Sequence, residues 1–445
     1  MSTPALAALD SFDATERREA LSGLATAQEG ATAPTGNVNM HMHSFFSYNS
    51  EDYSPSHVAW ACRQGGLHAS GLCDFDVLDG LDEFLAAGRS LGLRTTVNLE
   101  TRAFFAEYAD VDINSPGEPG VTYIMGAGFT SLPAAGTPQA EMLGHLRSTA
   151  RERNVGLIDR VNHQLREIAV NYESDVVPLT PGGCPTERHI VRSYIERSTA
   201  LLADSRRVAE FWSRVLELPA DDVGGLLGTP VMDEKVRARL AKRGGLGYEQ
   251  PTSATFPPVD DFLKWVQSCG AIPMITWLDG TSGGELDPWT MCEGMMSRGA
   301  AALNIVPDRN WNLCGDDRDL KRQKLHEIVA VAEELHLPLN IGTEMNKAGL
   351  PFVDNLSGEI LAQYKEIFVR GANIMVGHSL LAQFAGLSYC SAKAAAEFSG
   401  LASRNEFFAA VGGLRPVDEA RSSTLVDLGP EKAYAWFQDQ VAACA

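Results

Sequence analysis

A strand–helix rhythm, one long helical interruption and a recurrence of His, Asp and Glu at strand ends predict a distorted (β/α)7-type, TIM-like α/β barrel with a helical insertion. Strand patterns recur about every 30 residues, the length of a βα unit with a short loop at each end. Between Leu143 and Ala271 the pattern is helical throughout. A doubly wound open sheet is the alternative, since it is built from the same units. The chain has no GxGxxG at a strand–helix junction and no GxxxxGK[ST].

Residues 1–36 read as a flexible or helical leader. A helix over 11–24, capped by Ser11 or Asp13, precedes an Ala/Thr/Gly/Pro-rich linker over 26–36. The barrel domain spans 37–400 and opens with a strand over 38–43. A helix over 55–64 follows, with Ser54 as N-cap and Pro55 at the first helical position. A strand over 68–74 and a helix over 81–91 stopping at Gly92 come next, then strands over 94–100 and 121–126. The insertion, at about 138–250, holds a charged helix or helical pair over 141–173, a Pro/Gly turn over 179–186 and a helix over 187–202. Its glycine clusters at 224–228 and 244–247 lack the strand–loop–helix context of a phosphate cradle and read as turns. Parallel-type strands resume at 271–277, 301–306, 338–343 and 373–377, with helices over 289–297, 319–335 and 357–370 between them. Residues 401–445 form a C-terminal helical tail.

Composition narrows the function. The chain has 445 residues, 44% of them hydrophobic, enough for one large elaborated domain or two ordinary ones. A net charge of −20 repels nucleic-acid backbone over most of the surface, which argues against nucleic-acid coating but leaves room for a small substrate in a locally cationic cleft. Eight cysteines without CxxC spacing read as reduced thiols. The N-terminus lacks the apolar segment of a secretory signal, and no run of about 18 apolar residues is present. These features lead to the expectation of a cytoplasmic protein acting on a small molecule away from membranes.

In a barrel of this kind the working residues sit at the C-terminal strand ends. The first strand ends in His41-x-His43, whose side chains share a face because a strand alternates. The later ends carry Asp74 and Asp76, Glu100, Asp279, Asp308 with Arg309, Glu344 with Asn346 and Lys347, and His378. Imidazoles and carboxylates without cysteine suit Zn, Mn or Fe.

The segments His41-Met42-His43-Ser44, Ser54-Pro55, Gly71-Leu72-Cys73-Asp74-Phe75-Asp76 with Gly80, and Asn98-Leu99-Glu100 resemble, in order, the pattern of the PHP family (polymerase and histidinol phosphatase domains). Thr186-Glu187-Arg188-His189-Ile190 resembles a helix-borne segment of the family's nucleotide-dephosphorylating branch. Gly342-Thr343-Glu344-Met345-Asn346 stands where the family has its last metal motif. The likeness covers residues 37–380. It implies a distorted seven-stranded barrel holding up to three divalent ions. His41, His43, Glu100 and His189 match ligand positions, Asp74 the acid of the second motif and Glu344 the late aspartate. The chain departs from the pattern at Phe75 and Asn346, where the family has histidines, near Tyr48 and Asn49, and at Thr276-Trp277-Leu278. These departures point to fewer ions, or to oxygen ligands such as Asp76, Asp279, Glu344 and Asn346.

Several of these residues have a plainer alternative. Asp74 is either a ligand or the partner of a ligand histidine, and His189 either a ligand or a helix cap. Glu344 is either a ligand or general base, or the partner of Lys347 in a salt bridge. His378 is either a proton donor or the start of a helix. Arg309, Arg188 and Lys347, with Asn346, are candidates for gripping a phosphate, and Asp76 or His378 for protonating the leaving oxygen. Trp277 and Trp311 either line the substrate or pack the core. The resulting expectation is a metal-dependent phosphoesterase with one to three ions. The alternatives are hydrolysis of a non-phosphate ester, lactone or amide, and a catalytically depleted binding protein.

Overall fold

The computed structural model describes residues 3–27, 32–202, 204–313 and 315–444, so part of the expected 26–36 linker lies outside the described residues. Seven strands form one sheet in sequence order: β1 (Val38–Met42), β2 (Ala69–Phe75), β3 (Thr95–Phe104), β4 (Val121–Ala127), β5 (Ile272–Trp277), β6 (Ala302–Ile305) and β7 (Leu339–Ile341). A bridge between Met42 and Glu344 brings the two edges together, so the sheet is a nearly closed, distorted barrel. This bears out the predicted fold class and rules out the open doubly wound sheet.

The strands are not all parallel, as the sequence had led us to expect. β4 runs antiparallel to both β3 and β5. The cause lies in the connection: residues 105–120 return directly from β3 without a crossover helix, and a parallel neighbour requires such a crossover. The lower part of β3 pairs with β2 and its upper part with β4, which makes β3 the longest strand.

The expected strand over 373–377 is also corrected. It lies inside the helix Lys365–Ala385, and residues 357–364 hold turns and a short 3-10 helix (Ala362–Tyr364). This helix is buried on several sides, so its apolar run lacks the polar face that betrays a surface helix. Backbone approaches it closely: a Cβ on Gly371 would stand 1.9 Å from the Leu339 carbonyl oxygen, and one on Gly377 2.0 Å from that of Phe408.

Capping follows the sequence. Ser54 accepts the His57 N–H at 3.0 Å at the start of Pro55–Gln64, and Gly92 ends Leu81–Leu91 in a left-handed conformation with φ 66°. The insertion contributes helices Pro138–Gln164, Glu187–Leu202, Ser205–Leu216, Ala220–Leu226 and Pro230–Ala241. They enclose their own core, including Ile158, Val161, Tyr194, Trp212 and Leu240. The leader is docked: helix Ala14–Thr26, capped by Asp13, sends the buried Arg17 onto Glu83 (Nε–Oε1 2.9 Å) and over the Phe45 ring at 5.2 Å. Among the described residues the cysteines are free thiols and no helix is long and apolar enough to cross a membrane.

Candidate metal centre

His41 and His43 point inward from the end of β1, and Glu100 faces them from β3, paired in register with Phe75. Their ligand atoms all lie within 4.8 Å of one another. One Glu100 oxygen is 3.4 Å from Nε2 of His41 and 3.5 Å from Nε2 of His43. The rings stand 5.3 Å apart at 54°, and none of the three residues is more than 5% exposed. Both ring nitrogens of His41 and Nε2 of His43 are buried without a hydrogen-bond partner. Polar atoms in that state are costly to bury unless something binds them. Two ligand atoms about 2.1 Å from one ion and separated by a tetrahedral angle lie roughly 3.4 Å apart, so the observed spacings fit a shared divalent cation.

The ring of His43 is held from behind. Ser47 gives its hydroxyl proton to Asp74 (2.7 Å) and therefore accepts Nδ1–H of His43 (3.1 Å), leaving Nε2 with a free lone pair toward Glu100. Asp74 also accepts the Ser44 N–H (2.8 Å) and the Ser44 hydroxyl (2.7 Å). Its oxygens are thus occupied by Ser44 and Ser47, and it reaches His43 only through the Ser47 hydroxyl. Burial raises its pKa to about 6. Burial, and then the neighbouring His41, depress His43 to about 3. Burial also works against protonating His41, but Cys73 and Glu100 outweigh it, so its pKa lies well above the ordinary histidine value.

Glu344 borders this centre. Its N–H bonds the His41 carbonyl (2.8 Å), its carbonyl accepts the His43 N–H (2.9 Å), and its φ is +64° with Met345 following at +57°. Consecutive left-handed non-glycine residues are strained and persist where surrounding structure imposes them. The carboxylate takes 2.6 Å and 3.2 Å bonds from Arg309 and Asn346, so its ion-pair partner is Arg309, not Lys347. Burial would raise its pKa, yet Arg309, His41 and His43 together hold it below the usual carboxylate value. Arg188 lies over the Tyr48 ring at 5.4 Å and bonds Glu234 at 2.8 Å. Lys347 is exposed, within electrostatic reach of Glu234. Arg309, in the short helix Asp308–Trp311 after β6, and Arg188, on the insertion, both act on His43, while Asn346 and Lys347 follow β7.

Other expected site residues sit elsewhere. His189 uses Nδ1 to accept the Thr186 N–H (3.0 Å) at the start of its helix and stands edge-on to Tyr48, so it caps the helix and stays outside the cluster. Burial, then Arg192, push its pKa down to about 3. Asp76, at φ +63°, turns to Thr101 (2.5 Å) and Arg153 (3.4 Å). Thr101 follows Glu100 on a strand and so faces the opposite side, and Asp76 is turned toward it. His378 lies within its helix with both nitrogens engaged, Nε2–H on the Gly128 carbonyl (3.1 Å) and Nδ1 on the Tyr389 N–H (3.0 Å). Its neighbour Ser379 bonds Thr96, four residues below Glu100 on β3, so His378 sits roughly 13 Å toward the barrel's far end. Asp279 is tied to Lys321 (3.1 Å) and Thr281. Trp277 is core, at 1% exposure, and Trp311 is half-buried. Sequence reasoning missed Ser47, although a hydroxyl four residues after a strand-end histidine is well placed to hold its ring.

No protein-family profile and no curated protein sequence matches the chain. A protein from Bifidobacterium adolescentis assigned as a metal-dependent phosphoesterase aligns with 14% identity and a TM-score of 0.46, over 75% of this chain and 98% of its own. An amidohydrolase from Chromobacterium violaceum, solved with sulfate and no metal, aligns with 15% identity and a TM-score of 0.45, over 74% of this chain and 96% of its own.

Proposed function

We propose that the protein is a metal-dependent hydrolase of the PHP type that cleaves a phosphoester of a small metabolite. The observation that carries this reading is the buried set of His41, His43 and Glu100, in which both ring nitrogens of His41 and Nε2 of His43 lack hydrogen-bond partners and whose spacing suits one divalent ion of the Zn, Mn or Fe class. Such an ion, when bound, lowers the pKa of a water and polarises a phosphoryl oxygen. The rest of the work falls to the chain. Ser47 and Asp74 fix the tautomer and direction of His43. Arg309, held by Glu344, and Arg188 present positive charge to oxygens that become more negative as the phosphoester breaks. With Asp74 and His189 engaged elsewhere, the donors present favour a single ion over three.

The test is a substrate panel on metal-reconstituted protein, with phosphate monoesters and diesters beside carboxylic esters, lactones and amides. Turnover confined to phosphoesters, and at least about 100-fold lower in Arg309→Ala, is expected. Turnover of carboxylic esters or amides alone refutes the phosphoester reading. No turnover of any substrate by protein that does bind metal favours a depleted binding site.

A further inference from the structure

β4 is the one strand that runs the other way, so its first residues, rather than its last, lie at the rim where the candidate centre opens. In register, Glu100 faces Met125 and Arg102 faces Tyr123. Directly opposed residues share a side of the sheet, and so do alternate residues of one strand. Tyr123 therefore projects from the same face as Glu100, one pair nearer the rim, in a diagonal relation that leaves Cβ atoms roughly 7–8 Å apart. An aromatic side chain spans that gap. The Phe75 ring, on the residue paired with Glu100, meets the Tyr123 ring edge-on at 6.1 Å and 70°, so the two flank the carboxylate.

The phenol has a settled ring and an unsettled hydroxyl. Its backbone is pinned by Asn114, and no described residue hydrogen-bonds its oxygen, which is not sealed in the core and so stands free to meet a ligand at the mouth. Burial raises its pKa, so it keeps its proton at neutral pH and acts as a donor. The charged groups acting on it are Arg102, Glu187, Glu100 and Arg237, drawn from β3 and from the insertion. Arg309 is likewise within reach of Tyr123.

We propose that the Tyr123 hydroxyl is a substrate-binding group, which donates its hydrogen bond to a phosphoryl oxygen held between the His41–His43–Glu100 set and the Arg309 side of the mouth. The inference rests on the phosphoester reading and names a contact which that reading does not require.

The experiment is calorimetric titration of inorganic phosphate into metal-reconstituted protein, wild type beside Tyr123→Phe, with metal content and melting temperature measured on both. Phenylalanine keeps the ring and its contact with Phe75 and removes only the oxygen. The expected result is unchanged metal content and melting temperature with phosphate affinity about tenfold weaker in Y123F, the scale of one hydrogen bond to a charged group. Equal affinity in the two proteins overturns the role of Tyr123 and leaves the phosphoester reading intact. Loss of metal from Y123F also overturns it, by making the residue a support of the centre. Absence of phosphate binding by metal-loaded wild type overturns both.

Discussion

Ser47 shows how far the centre depends on residues that touch no ion. Its hydroxyl links Asp74 to Nδ1 of His43 and so decides which imidazole nitrogen is free. Ser47→Ala removes that decision, and metal affinity should fall by about 10–100-fold, as competition against a chelator would measure, with a loss of about 1–3 kcal/mol in stability because His43 Nδ1 and Asp74 each lose a buried partner. A second residue-scale prediction concerns Asp354, in the loop after β7. Burial, reinforced by Asp308, raises its pKa from 3.8 to about 7. An acid whose folded-state pKa lies above its unfolded one stabilises the fold fully below the unfolded value and loses that contribution as pH rises to the folded one. Asp354→Asn should therefore gain stability relative to wild type between about pH 4 and pH 7, by up to about 4 kcal/mol. Urea midpoints at pH 4 and pH 8 would reveal this; a difference that does not change with pH contradicts it. The His41-x-His43 pair is legible in the sequence because strand alternation fixes its geometry. The fates of Asp74, His189, Asp76 and His378 are not, because each is decided by a local partner, namely Ser44 and Ser47, the Thr186 N–H, Thr101 with Arg153, and the Gly128 carbonyl.

At the scale of elements, the leader and the reversed strand matter most. Helix Ala14–Thr26 is fastened by Arg17, whose guanidinium bonds both oxygens of Glu83, with the Nη2 contact at 2.5 Å, and the Ser11 carbonyl at 2.7 Å. Glu83 in turn accepts the N–H and hydroxyl of Ser56 at the start of Pro55–Gln64, and Arg17 covers Phe45, two residues after His43. Removing one partner of a buried pair leaves the other charge stranded, so Arg17→Ala should cost about 3 kcal/mol in chemical denaturation. A cost within measurement error would make the leader an ornament. Six of the barrel's seven strands share a direction that the βα rhythm makes legible. The reversal of β4 is hidden, because a loop and a crossover differ only in whether residues 105–120 become a helix. The stretch 373–377 inside the helix Lys365–Ala385 reads as a strand because burial erases the periodicity that distinguishes the two.

The molecule has a barrel core and an insertion core, with a small cluster of Phe45, Phe46, Val77, Ala150 and Cys184 besides, and Arg188 acts on His43 from the insertion side. The chain is acidic overall at −20, and Arg309 and Arg188 stand near this mouth, each paired with a carboxylate, Glu344 and Glu234 respectively. The helical character of 138–250 is legible from the lack of any strand pattern, whereas the contribution of Arg188 depends on packing that no periodicity encodes. All of these features serve a site whose purpose depends on one claim, that His41, His43 and Glu100 hold a divalent ion. Elemental analysis of the purified protein, wild type beside His41→Ala/His43→Ala, tests it most directly. The account predicts about one equivalent of Zn, Mn or Fe per chain in the wild type and little in the double variant, with both folded by circular dichroism. A wild type that neither carries nor takes up a transition metal, or a double variant that binds it as well, contradicts the account.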